Sequence, residues 1–92
     1  MIRSFRHKGL ERFFASGDHR RIDAKQRDRI LRILDRLDAA ARPDDLNLPG
    51  FDFHALKGDR KGTYSVSVSG NWRITFRHEA GDAKEVNLED YH

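Results

Sequence analysis

Ninety-two residues, 37% hydrophobic and 36% charged with no cysteine, can build one modest core and exclude a disulfide-stapled secreted scaffold. No apolar run approaches the ~20 residues of a membrane span and the opening segment lacks a signal-like apolar stretch, so a single cytoplasmic domain spanning residues 1–92 is expected. The net charge is only +3, but thirteen of the eighteen basic residues are arginine, whose planar fork suits phosphate, so an anionic partner is expected.

Ile2-Arg3-Ser4-Phe5-Arg6 alternates apolar and polar residues and predicts a short opening strand. Leu10, Phe13 and Phe14 recur at helical spacing, ending near Ser16-Gly17. A second helix is predicted from Asp23. Asp23 and Gln26 have the spacing of a capping box, with Ile22 at the staple position. Ile30, Ile33 or Leu34, Leu37 and Ala41 mark its buried stripe. It stops before Pro43, because the residue ahead of a proline avoids helical geometry. Its outer face carries Lys25, Arg29, Arg32 and Arg36 in one basic stripe. That stripe reads either as a solvated face, partly neutralised by Asp28 and Asp35, or as a contact surface for RNA phosphates or an acidic partner.

Residues 43–50 form a loop rich in proline and glycine, and the rest of the chain looks like β structure. Residues 51–55 and 63–68 alternate, Ser69-Gly70-Asn71 makes a tight turn, and residues 72–77 return. Trp72, Ile74 and Phe76 are expected inward, with Arg73 and Arg77 outward. Residues 84–88 close the sheet with Val86 and Leu88 inward. The expected fold is α/β in the α+β sense: two N-terminal helices packed on one face of a curved, mostly antiparallel sheet, whose other face is open.

That open face gathers chemistry. Parity places Arg73 there, Lys57 sits in a loop bounded by Gly58 and Gly62, the last strand delivers Asp90, Tyr91 and His92, and His54 adds a second imidazole. These are the parts needed to cleave RNA without a metal. The 2′-hydroxyl must lose a proton, a task for a carboxylate, an imidazole or a lysine of lowered pKa. The charge on the phosphorane must be stabilised, which suits Arg73 and Lys57. The leaving 5′-oxygen needs a proton, which suits His92, and Tyr91 can stack on an unpaired base. The plainer readings stand beside these: Lys57 and Arg60 as loop charges, Arg73 paired with Glu85 or Glu89, Asn71 as a turn residue, Trp72 as core. His7, His19 and His78 have no partner pattern. No metal-ligand spacing, P-loop, Rossmann fingerprint or G-x-S-x-G occurs, so no metal and no cofactor are expected.

Four segments in order, Met1-Ile2-Arg3-Ser4-Phe5, Leu56-Lys57-Gly58-Asp59-Arg60, Asn71-Trp72-Arg73-Ile74-Thr75-Phe76 and Glu89-Asp90-Tyr91-His92, resemble the HigB-type toxins, also called plasmid maintenance system killer proteins, of the RelE/ParE superfamily. The resemblance covers essentially the whole chain. It implies a RelE-like microbial RNase fold and a ribosome-dependent, metal-independent mRNA endoribonuclease acting in the A site. It also implies a HigA-like helix-turn-helix antitoxin, with operator DNA bound only through the toxin–antitoxin complex and no membrane partner. Carried over residue by residue, the catalytic set is His92, Asp90, Tyr91, Lys57, Arg73 and His54. RNA contacts fall to Asn71, Lys57, Arg73 and Tyr91; apart from the resemblance, the basic stripe of Lys25, Arg29, Arg32 and Arg36 is the expected ribosome contact. His92 is the expected general acid, with Asp90 or Lys57 assisting attack by the 2′-hydroxyl. One departure is visible, since the family often has proline after the position of His54 and this chain has Ala55. Two rivals share the pattern: a ParE-like toxin that binds DNA gyrase, and a non-catalytic module that uses the basic stripe on nucleic acid.

Overall fold

The structure, a computed structural model, describes residues 1–91. Two helices, α1 (Lys8–Ser16) and α2 (Arg27–Ala39), precede four strands, β1 (His54–Ala55), β2 (Thr63–Ser69), β3 (Trp72–Glu79) and β4 (Asp82–Asp90). The strands lie in the order β1-β2-β3-β4, every neighbouring pair antiparallel.

Local chemistry sets both helices. His7 caps α1, its Nδ1 accepting the Leu10 N–H at 3.0 Å, and Gly17 ends it at φ 76°, a left-handed conformation that costs glycine little. Leu10 and Phe13 are the buried face. Asp23 accepts from the Lys25 N–H at 2.9 Å and opens a 3₁₀ turn, Ala24–Gln26, from which α2 continues. The expected reciprocal box with Gln26 does not form. The Gln26 amide donates instead to Ser69 Oγ at 2.9 Å, tying the entry of α2 to the sheet. Ile30, Ile33, Leu34 and Leu37 are buried as their spacing requires. Ala40 is buried and Ala41 exposed, because the chain leaves helical geometry at Ala40 and the periodicity stops there.

The opening segment pairs parallel to β4 at only two points, Ile2 with Ala83 and Phe5 with Val86, and Ile2 N–H also donates to Asp38 on α2. Val66, Val68, Ile74, Phe76 and Val86 then form the apolar sheet face beneath the helices. Three expectations fail for backbone reasons. Glu85, at φ 51°, bulges β4 where Thr75 pairs with Asn87 but Arg77 with Lys84, so simple alternation ends there. Residues 51–55 do not form one strand: Asp52 turns left-handed at φ 47°, only His54 and Ala55 pair, and Phe51 drops fully buried into the core. Trp72 is 39% exposed, since it starts β3 at the hairpin end, beyond the last fully covered core residue, Ile74. Parity gave its side and not its depth.

Candidate active site on the open sheet face

The face opposite the helices carries a ladder of polar side chains. Arg73 stands on β3 opposite Ser67 and reaches diagonally to Ser65 Oγ at 2.9 Å. Its guanidinium also donates to the Asp52 carboxylate at 3.2 Å and to the Asp52 carbonyl at 2.6 Å. These contacts leave the Arg73 side chain only 15% exposed, laid across the strands. One step along β3, Thr75 donates to Glu89, and Arg60 grips the same carboxylate through two bonds of 2.9 and 2.6 Å. Farther out, Arg77 lies 3.7 Å from Glu85. The plainer reading, in which Arg73 pairs with Glu85 or Glu89, does not hold. Glu89 sits opposite Arg73 in register, yet Arg60, delivered by the Gly58–Gly62 loop, takes it.

Arg60 and Thr75 act together on Glu89. The hydrogen bond from Arg60, helped by that from Thr75, holds the Glu89 carboxyl below the ordinary glutamate range against its partial burial. The same guanidinium lies 6.0 Å from the centre of the Tyr91 ring, within reach of a cation–π contact. Tyr91 is fixed from the other side by its N–H, which donates to the Asn71 carbonyl at 2.7 Å. The chain end is thereby drawn onto the sheet as far as Tyr91.

Between these braces runs a groove of about 300 Å³ lined by His54, Ala55, Leu56, Lys57, Ser65, Arg73 and Tyr91. Four of the expected site residues, His54, Lys57, Arg73 and Tyr91, thus meet in one place. His54 directs Nδ1 at the Asp52 carbonyl, 3.0 Å away. Lys57 and Tyr91 present exposed side chains to the groove. Asp90 closes β4 opposite Trp72, outside the lining of the groove, and Asn71 contributes through its backbone. His92, the expected general acid, lies outside the described residues. Among the described residues no three His, Cys, Asp or Glu side chains gather as a metal site.

The chain belongs to the HigB-like family of toxins. A family model described as the RelE-like toxin of the type II toxin–antitoxin system HigB matches residues 3–92. The chain is 46% identical over 92 residues to a Proteus vulgaris protein named Endoribonuclease HigB, covering all of both chains. It is 33% identical over 93 aligned positions to Toxin HigB-1 of Vibrio cholerae serotype O1, covering 99% of this chain and 98% of that one. Toxins of this family work within a toxin–antitoxin pair, and the α+β fold expected for a RelE-like chain is the fold observed. No helix of the described residues is long and apolar enough to cross a membrane.

Away from the groove, the basic stripe of α2 divides. Arg29 turns inward, donates to the Gly50 and Ser67 carbonyls, and lies 4.9 Å from the centre of the Phe51 ring. It is a pin between helix, loop and sheet, so its charge serves the fold. Lys25, Arg32 and Arg36 remain exposed. Sequence reasoning gave no site role to Ser65, Asp52 and Thr75, saw Glu89 only as a partner for Arg73, and saw Arg60 only as a loop charge. Strand parity could have found Ser65 and Thr75, which share the face of Arg73. Nothing in the sequence marks Asp52, whose place depends on Phe51 being swallowed by the core.

Proposed function

We propose that this toxin is an mRNA endoribonuclease that works on the ribosome and needs no metal. The observation that carries the reading is the convergence of His54, Lys57, Arg73 and Tyr91 in one groove on the open sheet face. In this reaction the 2′-oxygen attacks the adjacent phosphorus, the bond from phosphorus to the 5′-oxygen breaks, and a 2′,3′-cyclic phosphate (or its 3′-phosphate) and a 5′-hydroxyl result. The 2′-hydroxyl proton passes to Asp90, which stands outside the groove lining but next in the chain to Tyr91 of it, or to a Lys57 amine that becomes a cation by taking it, with the His54 imidazole in reach of the groove, and His92 protonates the departing 5′-oxygen. Arg73 and Lys57 balance the charge that accumulates on the phosphoryl oxygens. Tyr91 offers a face on which the unpaired nucleotide stacks, and Asn71 holds Tyr91 in place. Lys25, Arg32 and Arg36 offer phosphate contacts for ribosomal RNA. The antitoxin is a HigA-like helix-turn-helix protein, operator DNA is bound only through the toxin–antitoxin complex, and the setting is cytoplasmic. That the full-length relative from Proteus vulgaris is named an endoribonuclease supports the assignment.

Purified toxin is assayed side by side for mRNA cleavage on programmed ribosomes, with EDTA and polyamine present, and for inhibition of gyrase supercoiling. Cleavage leaving a 5′-hydroxyl, with supercoiling untouched, is expected. Loss of supercoiling without cleavage would establish the gyrase-binding alternative. Deletion of His92 should slow cleavage by about 10²–10⁴-fold, the usual share of a general acid, and leave the melting temperature in place. Full toxicity of that deletion would remove the assigned acid.

A further inference from the structure

We propose that Asp52 is a positioning residue of this site, one that sets the His54 ring and the Arg73 guanidinium against each other across the groove; the inference rests on the RNA-cleaving reading above. The carbonyl of Asp52 lies 3.0 Å from His54 Nδ1 and 2.6 Å from an Arg73 Nη atom, and its carboxylate lies 3.2 Å from the other Nη. One residue therefore touches both cationic-capable groups. A carbonyl can only accept, so this contact is made by an Nδ1–H, and the Asp52 carboxylate lies 3.6 Å from the same nitrogen. Arg73 is held in turn at three points, by Ser65 and by both acceptors of Asp52, and its fork still has donors to offer a phosphate.

The backbone explains why an aspartate stands here. Phe51 is fully buried and its carbonyl accepts the Ser67 N–H at 2.8 Å, so the loop is anchored one residue before the site. The chain must then turn through φ 47° at Asp52 to bring His54 back beside Ser65. Aspartate and asparagine tolerate this conformation better than other residues with a Cβ. Stability is a poor reason for the arrangement. The Asp52 side chain is 61% exposed, and an ion pair that wet contributes little. The gain lies in orientation, where a displacement of about 1 Å costs about 10²-fold in rate.

The test compares Asp52→Gly, which keeps the left-handed turn and deletes the carboxylate, with Asp52→Asn, which keeps the turn and an acceptor oxygen. Single-turnover cleavage on programmed ribosomes, melting temperature, and NMR of the His54 ring nitrogens and the Arg73 guanidinium protons are measured on each, with Arg73→Ala as control. Asp52→Gly should lower the cleavage rate about tenfold or more, with little change in half-saturating ribosome concentration or melting temperature. It should also lose the slowly exchanging signal of the Arg73 Nη1 protons that the carboxylate holds, while those facing Ser65 and the residue 52 carbonyl persist. Asp52→Asn should restore most of both. Unchanged cleavage in Asp52→Gly, beside an impaired Arg73→Ala, would overturn the positioning role and leave the groove assignment standing. Faster cleavage in Asp52→Gly would overturn it too, by showing that the carboxylate competes with the substrate for Arg73. Slowed Asp52→Gly beside a fully active Arg73→Ala would overturn both the proposed link and the reading on which it rests.

Discussion

The two faces of the sheet are built by different physics. The helix side is closed by apolar contact: Val66, Val68, Ile74, Phe76 and Val86 meet Leu10, Ile30, Ile33, Leu34 and Leu37, nearly all inaccessible to solvent. Each fully buried side chain of this kind contributes about 1.5–3 kcal/mol, without direction. The open side is closed by paired polar groups instead, Arg73 with Ser65 and Asp52, Glu89 with Arg60 and Thr75. Those pairs add little stability for their number, yet they fix where charge points. The apolar face secures the platform and the polar face turns that rigidity into geometry, which is the division a cleaving site needs.

The separation can be broken deliberately. Lys57→Ala, on the open side, should cut mRNA cleavage by about 10²–10³-fold, as expected for loss of a group that stabilises transition-state charge, with the denaturation midpoint nearly unchanged. Leu34→Ala, on the closed side, should cost about 2–5 kcal/mol by urea titration, with the activity of the remaining folded protein preserved. A stability loss from the first, or a specific rate loss from the second, would merge the two roles.

A smaller effect sharpens the same contrast within the polar ladder. The Glu89 carboxyl is held down chiefly by Arg60, so the folded protein resists protonating it more than the unfolded chain does. That contribution is present above the ordinary glutamate value of about 4.3 and is lost as pH falls below it through the lowered folded value. Glu89→Gln should flatten this part of the acid limb in urea midpoints measured against pH. An identical acid limb in the variant would place the acid sensitivity elsewhere.

The smallest effect belongs to the helical side. His7 is shifted downward, first by burial and then by the Arg21 charge, and its Nδ1 is the cap of α1. A lowered histidine gives stability that is full above the unfolded value of about 6.5 and lost as pH falls through the folded value, where protonation also removes the cap. The loss should amount to about 1 kcal/mol, the usual worth of an N-cap. His7→Asn, which keeps an acceptor but does not titrate, should abolish that dependence in calorimetric scans between neutral and mildly acid pH.

Legibility in the sequence divides along the same line. Periodicity carried the apolar face: Leu10 and Phe13, Ile30 to Leu37, Val66, Ile74 and Phe76 all sit where spacing put them. It failed where the backbone left regular geometry, at Asp52, at the Glu85 bulge, and at the shallow depth of Trp72. The site residues came from strand parity for Arg73 and from short motifs held in order for Lys57 and Tyr91, and the fold brings these three and His54 to one groove. Their partners were illegible because pairing on an open face depends on loop paths. The Gly58–Gly62 loop gives Glu89 to Arg60, and the buried Phe51 gives Arg73 to Asp52. Arg29 shows the converse, a charge that spacing assigned to the surface and the fold uses inside.

The most direct test replaces a single atom of the substrate. An mRNA carrying one 2′-deoxynucleotide on the 5′ side of the scissile phosphate is placed on programmed ribosomes and exposed to the toxin, beside the all-ribose strand. Attack by the 2′-oxygen within this groove predicts that the deoxy position is not cut while the ribose control yields a 5′-hydroxyl end. Cleavage of the deoxy strand at the same site and rate would contradict it, because the nucleophile would then have to come from outside the substrate.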